Sequence, residues 1–99
     1  MSVLRRTWVI SYDIVGDRRR ARLCKLLESK GLRVQYSVFE VLASSEELDE
    51  IVRAATKPRC FDASEDSLRC YALCDGCRAA ARAFGRAAPP TSADDPVVV

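Results

Sequence analysis

The chain has 99 residues, of which 48% are hydrophobic and 30% are charged, a composition that fits one globular domain and excludes a disordered or fibrous protein. It contains no histidine, which excludes imidazole as a general base and as a metal ligand. The net charge of +2 hides an asymmetry, because residues 1–33 carry nine Lys or Arg against three acids. This imbalance predicts a local anion-binding surface in the N-terminal third of the chain.

Membrane and secretion signals are absent from the sequence. No stretch is long and apolar enough to span a bilayer, and the N-terminus lacks the apolar region of a secretory signal. We therefore expect a cytoplasmic protein that is not associated with a membrane. In that compartment the five cysteines are expected to be reduced thiols, and their odd number disfavours a closed set of intrachain disulfides.

The first predicted element is a buried strand at Thr7–Asp13, which is rich in β-branched and aromatic residues. Side chains alternate along a strand, so Asp13 is expected on the opposite face from Tyr12. A turn at Val15 and Gly16 follows directly. The sequence therefore places one carboxylate at the junction between this strand and the next element.

A helix is predicted from Asp17, a good N-cap residue, to Lys30, with Gly31 as its stop. Its apolar face carries Leu23, Leu26 and Leu27, with the stem of Lys30. The first turns are rich in arginine, at Arg18, Arg19, Arg20 and Arg22. Positive charge near a helix N-terminus opposes the helix dipole, so a bound anion or neighbouring carboxylates would offset that cost.

The second half of the chain repeats the strand and helix pattern. Leu32–Ala43 is a β region without internal Gly, Pro, Asn or Asp, and the pattern allows one long bent strand or two strands with a tight connection. Ser44 and Glu47 form a capping box, which predicts a second helix that ends before Pro58. Its predicted apolar stripe consists of Leu48, Ile51, Val52 and Ala55. Ser67–Cys74 is the last predicted strand, and a short segment rich in Ala and Arg follows it. Along this strand one predicted face carries Leu68, Cys70 and Ala72, and the other carries Arg69, Tyr71 and Leu73.

The order β-α-β(β)-α-β with short connections predicts an α+β ferredoxin-like sandwich, with the helices on one face of the sheet. We assign residues 1–86 to this domain and residues 87–99 to a tail that is irregular except for Val97–Val99. These three valines are β-prone and are expected to add to a sheet edge of a partner chain. The uncovered sheet face predicts a homodimer, with strand exchange through the tail.

The cysteines allow a zinc site, formed by Cys60, Cys70, Cys74 and Cys77. Their spacing, C-x9-C-x3-C-x2-C, is a poor match to the paired knuckles of structural zinc sites, which favours plain thiols. Cys74 and Cys77 also have the spacing of a redox pair. That motif requires a strand followed by a helix, and the sequence predicts no such setting here.

Asp13 is the first candidate for catalysis. A carboxylate beside arginines can hold a divalent metal against a phosphodiester, although a cap for the following turn is the alternative that spacing alone favours. One carboxylate is too few for a catalytic divalent ion, but Asp13 from each chain of a twofold dimer would supply two. Without histidine or a convincing set of thiolates, Mg²⁺ or Mn²⁺ is the expected ion.

The arginines also have two interpretations. Arg18, Arg19, Arg20, Arg22 and Arg33 form either a solvated surface, the usual fate of a charge run, or a contact surface for a nucleic-acid backbone. Binding of the second kind depends on salt and is independent of sequence. Tyr12, Tyr36 and Phe39 could stack on bases, although aromatic residues at alternating strand positions usually belong to the core.

Several segments match one known family. They are Tyr12-Asp13-Ile14, residues 17–22, the run Gly-Leu-Arg-Val-Gln-Tyr-Ser-Val-Phe-Glu at 31–40, and the Asp-Ser-x-Arg-x-Tyr pattern at 66–71. From residue 7 to about residue 86 the chain resembles the small CRISPR-associated adaptation protein, a ferredoxin-fold dimer that partners the CRISPR integrase. The run at 33–40 is the most specific part of this resemblance, and the pattern at 66–71 supports it independently.

The resemblance implies a function and a set of residues. Asp13 would lie at the dimer axis as the metal-linked catalytic residue, and Arg20, Arg22, Arg33 and Phe39 would contribute to nuclease activity. Some members look like metal-dependent endonucleases on single-stranded RNA or double-stranded DNA, whereas others are a non-catalytic bridge that holds a DNA duplex between two integrase dimers. The expected function is therefore a Mg²⁺-dependent phosphodiesterase of CRISPR adaptation and antiviral defence, with the integrase bridge as the alternative. A generic ferredoxin-like regulatory module is a third, weaker interpretation.

Overall fold

The computed structural model describes residues 4–85, which form a four-stranded sheet and three helices. The strands are β1 (Arg6–Asp13), β2 (Leu32–Gln35), β3 (Val38–Ala43) and β4 (Ser67–Leu73), and the helices are α1 (Asp17–Glu28), α2 (Ser45–Ala55) and α3 (Asp75–Ala80). The sheet has the order β2-β3-β1-β4, and every neighbouring pair is antiparallel. This topology confirms the predicted α+β ferredoxin-like sandwich.

The core lies between one face of the sheet and helices α1 and α2. Fully buried side chains from the sheet meet fully buried leucines of α1: Ile10, Phe39, Val41, Leu23 and Leu27. Helix α2 adds Leu48, Ile51 and Ala55, three members of its predicted apolar stripe. Burial of these apolar side chains is the main favourable term in folding a domain of this size. We call this side of the sheet the helix face.

Within residues 4–85, helices α1 and α2 both pack on the helix face, and we call the opposite side of the sheet the open face. Opposite residues of an antiparallel pair share a face, so the register defines its members. On these three strands they are Thr7, Val9, Ser11 and Asp13 of β1, Val38, Glu40 and Leu42 of β3, and Ser67, Arg69, Tyr71 and Leu73 of β4. Leu42 and Tyr71 are exposed large hydrophobic residues.

The β region at 32–43 consists of two strands joined by a tight turn at Tyr36 and Ser37, which decides between the two predicted alternatives. The predicted capping box at the start of α2 is confirmed. Glu47 donates its backbone N–H to the Ser44 hydroxyl at 3.1 Å, and its carboxylate accepts the Ser44 N–H at 2.9 Å. Arg5 donates to the same carboxylate at 2.8 Å, and this hydrogen bond lowers the pKa of Glu47 to about 2.

The bounds of α1 differ from the prediction. Gly16, rather than Asp17, occupies the N-cap position, because the Asp17 carboxylate accepts a hydrogen bond from Arg20 instead of capping the helix. The helix ends at Glu28, so Lys30 is exposed and does not extend the apolar face. Gly31 follows with an ordinary negative φ, and its importance is steric: a Cβ there would lie 2.3 Å from the backbone oxygen of Glu40.

The C-terminal end of β4 also differs from the prediction. The strand ends at Leu73, and Cys74 is the N-cap residue of α3. The expectation that Cys74 and Cys77 lack a strand followed by a helix is therefore wrong. No helix within residues 4–85 is long and apolar enough to cross a bilayer. The predicted tail at 87–99, with Val97–Val99, lies outside the described residues.

Candidate functional site

Asp13 is the last residue of β1 and lies on the open face, opposite Ser67 of β4. Its side chain is exposed. Within residues 4–85 no hydrogen bond or ion pair reaches this carboxylate, whereas the nearby Asp17 and Asp66 are both paired with arginines. Asp13 therefore presents an uncompensated negative charge at the C-terminal end of β1.

The loop after Asp13 is anchored from two sides. On one side, the backbone N–H of Val15 donates to Asp66 at 2.9 Å. On the other, the Arg20 guanidinium donates to the carbonyl oxygens of Ile14 and Val15, each at 3.1 Å. Ile14 itself is buried in the core. These contacts fix the backbone that follows Asp13, and a fixed backbone holds a functional side chain in one position.

Asp66 is the centre of this anchoring and was not predicted as a site residue. Its side chain is fully buried and accepts hydrogen bonds from Arg19, from Val15 and from the backbone N–H of Asp62, each at 2.9 Å. The hydrogen bond from Arg19 lowers the pKa of Asp66 to about 2, and the two backbone N–H groups act in the same direction. Asp66 is therefore ionised over the physiological range and holds the loop as an anion.

Arg19 has a structural partner for its charge. It donates to the buried Asp66 and, at 3.0 Å, to Glu65, and hydrogen bonding to Asp66 raises the pKa of its guanidinium. Its predicted role in nucleic-acid binding is untested. A phosphate that bound this guanidinium would compete with a buried carboxylate, and Asp66 would then lose its only cationic partner within residues 4–85.

Arg20 and Arg33 face each other across a cleft on the helix side of the sheet. The cleft has a volume of about 280 Å³ and is lined by Tyr12, Asp17, Arg20, Ala21, Cys24, Arg33 and Tyr36. We call it the arginine cleft. Arg33 donates two hydrogen bonds to the Tyr36 carbonyl oxygen, at 3.2 and 2.7 Å, and its guanidinium lies 5.1 Å from the centre of the Tyr36 ring. Burial raises the pKa of the Tyr12 hydroxyl to about 12, so this wall of the cleft is neutral.

Phe39 lies beneath the cleft, fully buried, and pairs with Arg33 in the strand register. Its ring stacks on Tyr12, with 6.3 Å between the ring centres and 24° between the planes. A buried ring cannot stack on a base in this arrangement. The predicted contribution of Phe39 to activity, which stays a prediction, must therefore act through the packing of Tyr12 and Arg33.

Arg18 and Arg22 lie on the outer side of α1. Both are exposed, and Arg22 donates one hydrogen bond, at 3.3 Å, to the carbonyl oxygen of Arg59. Arg18 has no hydrogen bond or ion pair to the part of the chain that is described. Of the predicted arginines, Arg18, Arg22 and Arg33 form no ion pair with a carboxylate within residues 4–85, and Arg33 donates to a carbonyl oxygen instead.

The predicted catalytic set is thus divided by the sheet. Asp13 is on the open face, and Arg20, Arg33 and Phe39 are on the helix face. The arginine that shares a face with Asp13 is Arg69, because it lies opposite Ser11 in the register and is exposed. Asp13 and Arg69 are therefore diagonal neighbours on adjacent strands, and residues in such positions lie roughly 7–8 Å apart. Sequence alternation had placed Arg69 on one side of β4, but only the pairing register shows that this side contains Asp13.

A metal ion would need ligands from more than one chain. Within residues 4–85 there is no group of three or more Cys, Asp or Glu side chains that could hold an ion. The described cysteines therefore do not form the zinc site that the sequence allowed. Asp13 offers one carboxylate, whereas Mg²⁺ prefers several oxygen ligands, part of them water. The residues present fit a divalent ion if a second copy of the chain contributes its own Asp13.

Comparison with known proteins identifies the family. The family model for the CRISPR associated protein Cas2 matches residues 6–81, more than three quarters of the chain. The chain belongs to the Cas2 family. A Chloroflexus aurantiacus protein named CRISPR-associated endoribonuclease Cas2 3 is 46% identical over 65 residues, which cover 66% of this chain and 68% of the relative.

Solved structures agree with this assignment. The crystal structure of Streptococcus pyogenes Cas2 at pH 6.5 has a TM-score of 0.69 and 28% identity, and the match covers 80% of this chain and 99% of that one. A chain of a partial Cas6-RT-Cas1–Cas2 complex has a TM-score of 0.56 and 25% identity, covering 85% and 94% of the two chains. These findings confirm the predicted family and the predicted CRISPR function. They also confirm the predicted nuclease activity, since relatives are named CRISPR-associated endoribonucleases.

Proposed function

We propose that this protein is a homodimeric, Mg²⁺- or Mn²⁺-dependent endonuclease of CRISPR adaptation, which acts in the cytoplasm and uses Asp13 as its metal-binding residue. The observation that supports it best is the exposed carboxylate of Asp13, which lacks a cationic partner within residues 4–85 and follows a rigid strand. Carboxylates that serve the fold, such as Asp66, are paired. An unpaired carboxylate at the end of a rigid element is available for a metal ion.

The open face supports the homodimer. It exposes Leu42 and Tyr71 beside Val9, and apolar side chains on one surface favour association with a similar surface. A twofold axis near the end of β1 brings two Asp13 carboxylates to the same region, which doubles the ligands available to one ion. When bound, the ion neutralises charge on the scissile phosphate and activates water.

The chain's own residues have separate tasks in this proposal. Asp66 and Arg20 hold the loop so that Asp13 keeps its orientation. Arg69 shares the open face with Asp13 and binds a non-bridging phosphate oxygen. Arg18 and Arg22 bind the nucleic-acid backbone away from the reacting bond, where they position the strand without reading its sequence.

The test is a nuclease assay with wild type, Asp13→Asn and Asp49→Asn, each with and without Mg²⁺, on single-stranded RNA and on double-stranded DNA. Asp49 is an exposed carboxylate on α2, so its replacement controls for the loss of one negative charge. We expect metal-dependent cleavage by wild type and Asp49→Asn, and a loss of at least a hundredfold in Asp13→Asn, roughly the effect of removing one transition-state contact. Cleavage by Asp13→Asn at the wild-type rate would overturn the assignment of Asp13.

The preferred substrate is RNA, because the similar Chloroflexus aurantiacus protein is named an endoribonuclease. The two substrates are separated in the same assay. Cleavage of duplex DNA alone would keep the metal mechanism and change the substrate. This outcome would leave the role of Asp13 intact.

The alternative is a non-catalytic bridge that binds duplex DNA for the CRISPR integrase. The similarity to a chain of a complex that contains Cas1 favours it, as do the uncompensated charges of Arg18 and Arg22. In that case neither wild type nor Asp13→Asn cleaves any substrate. Both proteins would instead bind duplex DNA with equal affinity and equal sensitivity to salt, and both would associate with the integrase.

A further inference from the structure

Cys74 and Cys77 stand apart from the other cysteines of the chain. Both are exposed, whereas Cys60 is buried and Cys24 and Cys70 are partly buried. They flank Asp75 and Gly76, at the point where β4 ends and the chain turns into α3. Neither thiol belongs to the core, so packing does not account for their presence.

The two residues are in direct contact. The Cys74 sulfur accepts a hydrogen bond from the backbone N–H of Cys77 at 3.3 Å, and the Cys74 carbonyl oxygen accepts the Arg78 N–H at 2.9 Å. Cys74 is the N-cap of α3 and Cys77 lies in its first turn, and Cα atoms three residues apart in an α-helix are separated by about 5 Å. Disulfides usually join Cα atoms separated by roughly 4.4–6.8 Å. The turn therefore holds both thiols within the range that a disulfide requires.

The electrostatic environment divides the two thiols. Hydrogen bonds from Cys77 lower the pKa of Cys74, and the backbone N–H of Gly76 acts in the same direction. The neighbouring Cys74 sulfur raises the pKa of Cys77. A thiol with a lowered pKa beside a thiol with a raised pKa favours thiol–disulfide exchange in which the first sulfur attacks and the second resolves the product.

We propose that Cys74 and Cys77 are a redox-active dithiol that reacts with low-molecular-weight disulfides and closes to an intrachain disulfide. The Cys74 thiolate attacks one sulfur of the small disulfide and displaces the other half as a thiolate, which leaves a mixed disulfide on Cys74. Cys77 then loses its proton to the released thiolate and attacks the Cys74 sulfur, which breaks the mixed disulfide and displaces the second half as a thiolate that takes its proton from water. The protein dithiol is oxidised by two electrons, and the small disulfide is reduced to two thiols.

This chemistry is independent of the proposed nuclease, since none of its steps involves Asp13 or a metal ion. The three other described cysteines are poor competitors. Burial raises the pKa of the Cys70 thiol, Cys60 is inaccessible in the core, and Cys24 is partly buried in the arginine cleft. The exchange is therefore expected at one pair of residues rather than across all five cysteines.

The test uses the full chain, reduced and then incubated with buffers of graded ratios of oxidised to reduced glutathione. After an acid quench and alkylation, intact masses and peptide maps report the products. We expect wild type to lose two hydrogens and to yield a cross-linked peptide that contains Cys74 and Cys77, with little bound glutathione. Cys77→Ser lacks the resolving thiol, so it should accumulate one glutathione on Cys74.

Cys74→Ser and Cys70→Ser complete the design. Serine is a strong N-cap residue, so Cys74→Ser preserves the start of α3, and it should bind glutathione several-fold more slowly than Cys77→Ser. Cys70→Ser should form the cross-link as wild type does. Stable glutathione adducts on wild type without a cross-link, equal rates for the two serine variants, or cross-links between chains would each overturn the proposal.

Discussion

The open face and the arginine cleft differ in how their charges are compensated. On the open face, Asp13 and Arg69 are exposed side chains without a partner among the described residues. In the arginine cleft, Arg20 is paired with Asp17 and bound to two carbonyl oxygens, and Arg33 is bound to the Tyr36 carbonyl oxygen. A charged side chain that is hydrogen-bonded within the domain supports the fold, whereas one without such a partner is available to bind a ligand.

The two regions are nevertheless connected through the backbone. Arg20 in the cleft donates to the carbonyl oxygen of Val15, and Asp66 accepts the N–H of the same residue. Val15 lies two residues after Asp13, so the cleft and the buried carboxylate jointly determine where the strand end points. A substitution in the cleft can therefore change activity without any contact to the substrate.

The largest effect is expected from Phe39→Ala, which tests whether the cleft acts through packing. Removal of this fully buried ring should lower the free energy of unfolding by about 3–5 kcal/mol, since it leaves a cavity below Tyr12. Urea denaturation followed by tryptophan fluorescence measures the loss. Phe84→Ala is the matched control, because Phe84 is 77% exposed. A Phe39→Ala protein with wild-type stability but no activity would instead show a direct role for the ring.

Arg69→Ala is expected to have the next largest effect and separates the two regions by activity. Loss of a phosphate contact beside Asp13 should reduce cleavage by roughly tenfold to a hundredfold, somewhat less than the loss of an oxyanion-hole donor. Arg53→Ala on α2 controls for the loss of one exposed positive charge. Single-turnover cleavage rates measure the difference. If Arg33→Ala slows cleavage more than Arg69→Ala does, the reacting phosphate binds in the arginine cleft.

Much of the fold could be predicted from local patterns. The alternation in β1 and β4, the spacing of Leu48, Ile51 and Ala55, and the capping box at Ser44 each arise from neighbours in sequence, and each was confirmed. The predictions were wrong where a side chain had several possible hydrogen-bond partners within reach. The Asp17 carboxylate binds Arg20 rather than capping α1, and no local pattern distinguishes these outcomes.

The site was harder to predict because it depends on the register between distant strands. Asp13 and Arg69 share a face only because Ser11 pairs with Arg69 across β1 and β4, a contact between residues far apart in sequence. The role of Asp66 has the same origin, since its partners Arg19 and Val15 are 47 and 51 residues away. Sequence spacing had grouped Asp13 with the arginines of α1, although the sheet separates Asp13 from the cleft.

The pH dependence of stability tests the anchoring by Asp66. Its folded-state pKa of about 2 lies below the ordinary aspartate value of about 3.9, so its contribution is present above pH 4 and is lost as the pH falls towards 2. Wild type should therefore lose stability over this window, and Asp66→Asn should show a flatter dependence. Part of the slope remains, because the pKa values of Glu47 and Asp62 are also lowered.

Urea midpoints between pH 2 and pH 7 provide the measurement for Asp66, with Asp49→Asn as the control for one lost carboxylate on the surface. Asp66→Asn should also be less stable than wild type at neutral pH, since the amide cannot accept from all three donors. Identical slopes in wild type and Asp66→Asn would show that this carboxylate does not anchor the loop.

The smallest effect is expected from Arg18→Ala, and comparison with Arg19→Ala shows which arginine binds nucleic acid. Arg18 is exposed and uncompensated, so its removal should weaken duplex binding a few-fold and reduce the slope of log affinity against log salt by about 0.9. Stability should stay within about 0.5 kcal/mol of wild type. Arg19→Ala should lower stability and leave the salt slope unchanged, because it leaves Asp66 buried with one partner fewer. Fluorescence anisotropy with a labelled duplex between 50 and 200 mM salt, about the range over which such contacts weaken strongly, measures the slopes. An unchanged slope in Arg18→Ala would show that Arg18 is not part of the binding surface. A reduced slope in an Arg19→Ala protein of wild-type stability would show that Arg19 binds phosphate despite its pairing with Asp66.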